Sequence, residues 1–194
     1  MIEIHDITNT IFTSKSYILS KQGEDKAWLV DIGDIEPVQC YMKDRNLFAE
    51  GVFLTHAHFD HIYGIEPLVR QFPKCKVYCT EYAKEALASD KLNLSKYHGT
   101  PINYSGDNVV VVHEGEKMLL FEAEPQIEFF ETPGHNPGCL TMVIGNVVFT
   151  GDAYIPGIGV NTIPPKADKK LAKISLERIL KLAEGKTIFS GHQV

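Results

Sequence analysis

Thr55-His56-Ala57-His58-Phe59-Asp60-His61 sets three histidines and an aspartate within six positions, directly after the apolar run Val52-Phe53-Leu54. Side chains alternate with period two in an extended segment, so His56, His58 and Asp60 would point to one side. On a helix His56 and His58 would diverge, which puts the motif at the end of a strand that runs into a turn. His61 joins the same site only if the chain bends after Asp60, and Gly64 and Pro67 follow closely enough for that. Such a cluster is costly to bury without partners, because desolvated polar groups must be paired. Metal ligation supplies the pairing.

The same form recurs three times downstream. FFET precedes Pro133-Gly134-His135, VVFT precedes Gly151-Asp152, and TIFS precedes Gly191-His192. In each case an apolar strand ends in Thr or Ser, a tight turn follows, and a ligand-type side chain comes next. Glycine lets the backbone bend sharply or approach closely without a Cβ clash. Four such turns are expected to gather at one edge of the sheets, where loops on a rigid scaffold carry function. His5, His98 and His113 lack this context and read as ordinary histidines.

The rest of the chain reads as mixed α and β. Tyr17-Ile18-Leu19 and Ala27-Trp28-Leu29-Val30 are extended, and Pro37 to Asn46 predicts a short helix. A second helix opens near Pro67, whose missing N–H is tolerated in a first turn, with Ile65, Leu68, Val69 and Phe72 on one face. Val109 to Val112, Met118 to Phe121 and Ile127 to Phe130 predict strands. Asp168 caps a final helix with an apolar stripe at Ala172, Leu176, Ile179, Leu180 and Ala183. This order gives an α/β or α+β layered domain, expected to span 1–194 as one unit.

Composition narrows the function classes. The chain has 194 residues, 44% of them hydrophobic and 23% charged, with a net charge of -6. An acidic chain without clustered Lys and Arg is a poor nucleic-acid binder. No stretch is long and apolar enough for a membrane span, and the first residues, MIEIHDITNT, do not resemble an export signal. The expected location is cytoplasmic, with a small-molecule substrate as partner. Cys40, Cys75, Cys79 and Cys139 have no zinc-site spacing and are expected as unpaired thiols.

With these motifs in place, the chain resembles the metallo-β-lactamase-fold superfamily. His56 to His61 matches its H-x-H-x-D-H motif, and residues 132–138, TPGHNPG, are similar to its TPGHTPG motif. Thr150-Gly151-Asp152 and Ser190-Gly191-His192 match the remaining ligand motifs in order, and Val30-Asp31-Ile32-Gly33 resembles an early strand ending in a structural aspartate. The resemblance implies a four-layer αββα sandwich with the site along one edge of two sheets. It implies one divalent metal on His56, His58 and His135, a second on Asp60, His61 and His192, and Asp152 bridging them. Asp60 would also orient a nucleophile or move a proton, and Asp31 would support the ligand loop. Imidazole and carboxylate donors without thiolate suit zinc first, with iron or manganese as alternatives.

Within that superfamily the chain resembles the small glyoxalase II-like group, through Asn93 to Ile102 among other features. Two departures weaken the glutathione part of that resemblance. The sequence stops two residues after His192, short of the helical region with which many members bind glutathione, and the group's Gly-Arg-Thr-Asp segment reads Gly159-Val160-Asn161-Thr162. Tyr97, His98, Tyr154, Asn161 and Lys166 are the candidate substrate contacts. The leading expectation is a metallohydrolase acting on a thioester, ester or lactone of a small metabolite. The alternatives are a persulfide dioxygenase-like oxidoreductase with one iron on His56, His135 and Asp152, and a non-catalytic metal-binding module.

Overall fold

A computed structural model describes residues 2–122 and 125–193. Among them, eleven strands form two mixed sheets. The first sheet runs in chain order: β1 (Ile2–Thr8), β2 (Lys15–Lys21), β3 (Lys26–Val30), β4 (Phe48–Phe53), β5 (Lys76–Cys79) and β6 (Val109–Val111). β1 to β3 are antiparallel neighbours, and β3 to β6 are parallel. Each parallel step needs a crossover, and α1 (Ile35–Asp44), α2 (Ile65–Gln71) and α3 (Glu81–Leu87) supply them. Ala27 to Val30 and Val52-Phe53 are buried throughout, which explains their unbroken apolar reading: strands covered on both faces show no alternation.

The second sheet has the order β11-β10-β9-β8-β7, from β7 (Lys117–Leu119), β8 (Gln126–Glu131), β9 (Leu140–Ile144), β10 (Val147–Gly151) and β11 (Thr187–Ser190). Its one parallel pair, β10 with β11, is joined through α4 (Lys169–Leu182). Trp28, Phe53, Phe129, Met142 and Phe149 fill the space between the sheets. Trp28 stacks on Phe53 with centroids 5.2 Å apart, and its indole N–H donates to Leu120 O at 2.6 Å. Such a ring can be buried because its polar end finds a partner.

Helices close both outer faces. Val38, Met42, Ile65, Leu68 and Ala86 pack with Ile18, Leu29 and Val77 of the first sheet. On the other side Ile179 of α4 packs with Cys139 and Ala153, and the Arg178 guanidinium lies over the Phe130 ring of β8. The sandwich is therefore αββα, as expected. Asp168 caps α4, accepting from the N–H groups of Lys170 at 2.7 Å and Leu171 at 3.0 Å.

Local differences have physical reasons. Leu180 is exposed, and Ser175 takes a buried place on α4 instead; Ser175 Oγ donates to Pro133 O at 2.6 Å, so a hydroxyl stands where periodicity favoured leucine. β1, α3 and β9 were not anticipated. α3 has only seven residues, too short for a periodicity to emerge, yet Thr80 Oγ1 caps it by accepting from Ala83 N. Among the described residues no helix is long and apolar enough to cross a membrane. The four cysteines are free.

Candidate metal centre

The four motif turns lie at the C-terminal ends of β4, β8, β10 and β11, and they bring seven side chains together. Three overlapping groups each place ligand-type atoms within 4.8 Å of one another: His56, His58 and His135; His56, His61 and Asp152; and Asp60, His61 and His192. His61 enters because Phe59–His61 forms a single 3-10 turn, the bend the motif required. Asp152 sits between the two ends of the cluster. Its Oδ2 lies 3.5 Å from His135 Nε2 and 3.2 Å from His192 Nε2. Close packing of the turns depends on missing side chains: a Cβ on Gly191 would overlap Asp152 Oδ1, and one on Gly151 would overlap Thr55 Oγ1.

Hydrogen bonds behind the cluster fix which nitrogen each ring presents. His61 Nδ1 donates to Asp31 Oδ2 at 2.9 Å, His135 Nδ1 to Asn161 O at 2.7 Å, and His192 Nδ1 to Phe12 O at 2.8 Å. Carboxylate and carbonyl oxygens only accept, so these rings carry a proton on Nδ1 and turn Nε2 toward the cluster. Thr55 Oγ1 donates to Asp31 Oδ2 at 2.7 Å and accepts from His56 Nδ1 at 3.2 Å. His58 is oriented differently: Asn136 Nδ2 meets its Nε2 at 3.0 Å, and its Nδ1 faces His135 Nε2 at 3.0 Å. Asp31 also accepts from Thr55 N at 2.7 Å, so one buried carboxylate steadies two rings of the cluster, His61 directly and His56 through Thr55.

Electrostatics divide the cluster. Burial, followed by repulsion from neighbouring imidazoles, holds His56 well below its ordinary value and pushes His58 down to about 3. Burial also lowers His135, against the pull of Asp152. These rings stay neutral with lone pairs available. At the other end burial opposes charge on His61, but Asp60, Asp152 and Asp31 outweigh it and raise it to about 10. Burial would raise Asp152, yet His61 and the adjoining histidines hold it well below the usual carboxylate range. That end of the cluster favours positive charge.

The donor set suits a metal. His56 Nε2 and Asp152 Oδ1 are buried without a hydrogen-bond partner, a costly arrangement that a cation would relieve. The sequence pattern of the Metallo-beta-lactamase superfamily matches residues 16–192. The chain belongs to that superfamily. It is 32% identical over 141 residues to a hydroxyacylglutathione hydrolase of Citrobacter koseri, a match covering 73% of this chain and 47% of the relative. The chain thus spans about half the length of the curated relatives it first matches. Among solved structures, the BLEG-1 B3 metallo-beta-lactamase superimposes with a TM-score of 0.88 at 27% identity, covering 99% of this chain and 92% of that one. TTHA1623 in a di-iron-bound form superimposes with a TM-score of 0.82 at 27% identity, covering 98% and 92%.

In this superfamily member the cluster floors an open cleft of about 750 Å³. Of the candidate substrate contacts, His98 and Asn161 line it, whereas Tyr97, Tyr154 and Lys166 do not. His98 stacks on Phe59 with centroids 4.2 Å apart, which sets its ring at the cleft. Sequence reasoning also missed Asn136 and Phe12. Asn136 could have been found as the one changed position in TPGHNPG. Phe12 acts through its carbonyl, 180 residues from His192, and nothing in its sequence marks it.

Proposed function

We propose that this protein is a dinuclear metallohydrolase that activates water against a thioester, ester or lactone of a small metabolite. In this reading His56 Nε2, His58 and His135 Nε2 hold one divalent ion. Asp60, His61 Nε2 and His192 Nε2 hold the other, and the Asp152 carboxylate reaches both. Zinc fits this nitrogen and oxygen set, as do iron and manganese. When bound, such a pair lowers the pKa of water and polarises a carbonyl.

The chain's own residues supply position and apolar surface. Asp31 and the carbonyls of Phe12 and Asn161 lock the imidazoles in orientation, the kind of support that tunes a metal site. Asp60 Oδ2 lies 3.4 Å from both His61 Nε2 and His192 Nε2 and lines the cleft, so it can orient the attacking water or carry its proton. Phe12 and Phe59 wall the cleft above the cluster with apolar surface. The observation that carries the reading is the placement of Asp152 between two complete ligand groups.

Protein loaded separately with zinc, iron and manganese would be assayed on S-lactoylglutathione, p-nitrophenyl esters and a lactone. His58→Ala and Asp60→Ala should each lose turnover by on the order of 10²-fold or more, with folding intact by circular dichroism. Unchanged turnover in both variants contradicts the proposal. A single tightly held iron with oxygen consumption would favour the persulfide dioxygenase-like alternative, and a fully loaded protein inert on every substrate would favour a binding module. The near full-length likeness to a B3 metallo-beta-lactamase supports β-lactam hydrolysis as a second reading, which a chromogenic cephalosporin tests in the same assay.

A further inference from the structure

The walls of the cleft differ from its floor. Above the histidines and carboxylates the surface is built by Phe12, Phe59, Ile155, Ile158, Ile163 and Pro164. Several of these side chains lie open. Ile163 is 90% exposed, Ile158 61% and Phe12 58%, which places on one cavity three of the five most exposed large hydrophobics among the described residues. Single exposed apolar residues are ordinary, but a contiguous set lining a concave site marks what the site binds.

The wall is also held in place. Phe12 meets the faces of Phe59 and His98 edge-on, with centroids 5.5 Å away in each case. Phe12 and Thr13 both have φ of 54°, a left-handed conformation that costs free energy in non-glycine residues. Ser14 Oγ donates to Asp60 O at 2.7 Å, Asn9 Nδ2 donates to Ser14 Oγ at 3.1 Å, and Phe12 O accepts from His192. These bonds fasten the strained segment to both ends of a ligand group. On the facing side Asn161 Oδ1 accepts from Ile163 N at 3.0 Å, while Asn161 O accepts from His135 Nδ1. The same residues that orient the imidazoles therefore present the apolar rim.

No lysine or arginine is among the described residues lining the cleft. A glutathione thioester, with two carboxylates and an ammonium group, would find no lysine or arginine on the cleft walls to receive its carboxylates. We infer that the cleft selects an uncharged substrate whose acyl chain lies along the Phe12–Phe59 and Ile158–Ile163 walls, with its carbonyl at the histidine and aspartate floor. This inference rests on the hydrolase reading and narrows its substrate class to apolar acyl esters, thioesters or lactones.

The test has a kinetic and a binding arm. Metal-loaded protein is assayed on p-nitrophenyl acetate, butyrate and octanoate, which share a leaving group, and on S-lactoylglutathione. Burying each added methylene should raise kcat/KM by about fourfold, so burial of even half of the six methylenes added from acetate to octanoate should give at least about thirtyfold. S-lactoylglutathione should be turned over more slowly than the octanoate ester. In Ile163→Asp the chain-length gain should collapse, and because Ile163 is 90% exposed its replacement does not threaten folding. A flat chain-length profile, or a preference for the glutathione thioester, overturns the inference. Calorimetric titration with octanohydroxamate and acetohydroxamate separates failure of the cleft from failure of the chemistry. If no ester is hydrolysed, the hydrolase reading falls, yet octanohydroxamate binding at least tenfold tighter still supports an acyl cleft. Equal affinities for the two hydroxamates overturn it.

Discussion

The two ends of the cluster are built in opposite ways. His56, His58 and His135 are buried and kept neutral by desolvation, with uncharged groups behind them: Thr55 against His56, Asn136 against His58 and the Asn161 carbonyl against His135. Asp60, His61 and His192 include a carboxylate and a partly exposed imidazole. Their support comes from far away in the chain, from Asp31 and from the carbonyl of Phe12. One end is a desolvated set of lone pairs. The other is an anionic set that favours positive charge, as the raised His61 shows. The difference teaches that uncharged polar supports go with a set of neutral rings, whereas a charged acceptor, Asp31, goes with the ring that favours a proton.

The largest effect should come from removing what joins the ends. Asp152→Ala takes away the carboxylate that reaches both, and turnover should fall by on the order of 10³-fold, with less metal retained on gel filtration. Next, Asp31→Asn deprives His61 of its charged acceptor and weakens the hold on Thr55. Metal affinity should drop by about 10- to 100-fold, with the greater loss at the weaker of two sites in a competition titration. Equal losses at both sites would show that the Thr55 link from Asp31 to His56 matters as much as its direct bond to His61.

Asn136→Ala sharpens the comparison from the other side, since His58 is the one ring of the cluster its side chain bonds, besides Gly138 N. We expect about a tenfold loss of affinity at the tighter site and little change at the weaker one. The smallest effect belongs to Asp34, which accepts from Thr10 N at 2.8 Å and from Tyr63 Oη at 2.7 Å and so steadies the segment carrying Phe12. Burial works against its charge, but these donors prevail and lower its pKa. A carboxyl with a lowered folded pKa stabilises above its unfolded value, about 3.9, and that stability is lost as pH falls through the folded value. Asp34→Asn should therefore cost about 1 kcal/mol or less near neutral pH. The cost should vanish in urea melts at acid pH, below the folded value.

The motifs made the seven ligand-type side chains legible because each lies in the turn that directly follows a strand, β4, β8, β10 or β11, where sequence order and spatial position coincide. The αββα layering was legible through the order of those motifs, and α4 through Asp168 and its stripe. What escaped was set by contacts remote in sequence. The Phe12 carbonyl reaches His192 across 180 residues, and a backbone acceptor leaves no mark on residue type. His98 looked isolated because its partner Phe59 lies inside the metal motif itself. Residues 155–165 read as an ordinary loop, and only their folding over the cluster shows Ile158 and Ile163 as a wall.

The most direct test of the central claim is a calorimetric zinc titration of metal-free protein, with the bound metal counted by mass spectrometry. The account predicts two equivalents of unequal affinity per chain in the wild type, and loss of the weaker one alone in His192→Ala. A single equivalent in the wild type, or loss of both together in His192→Ala, would contradict it.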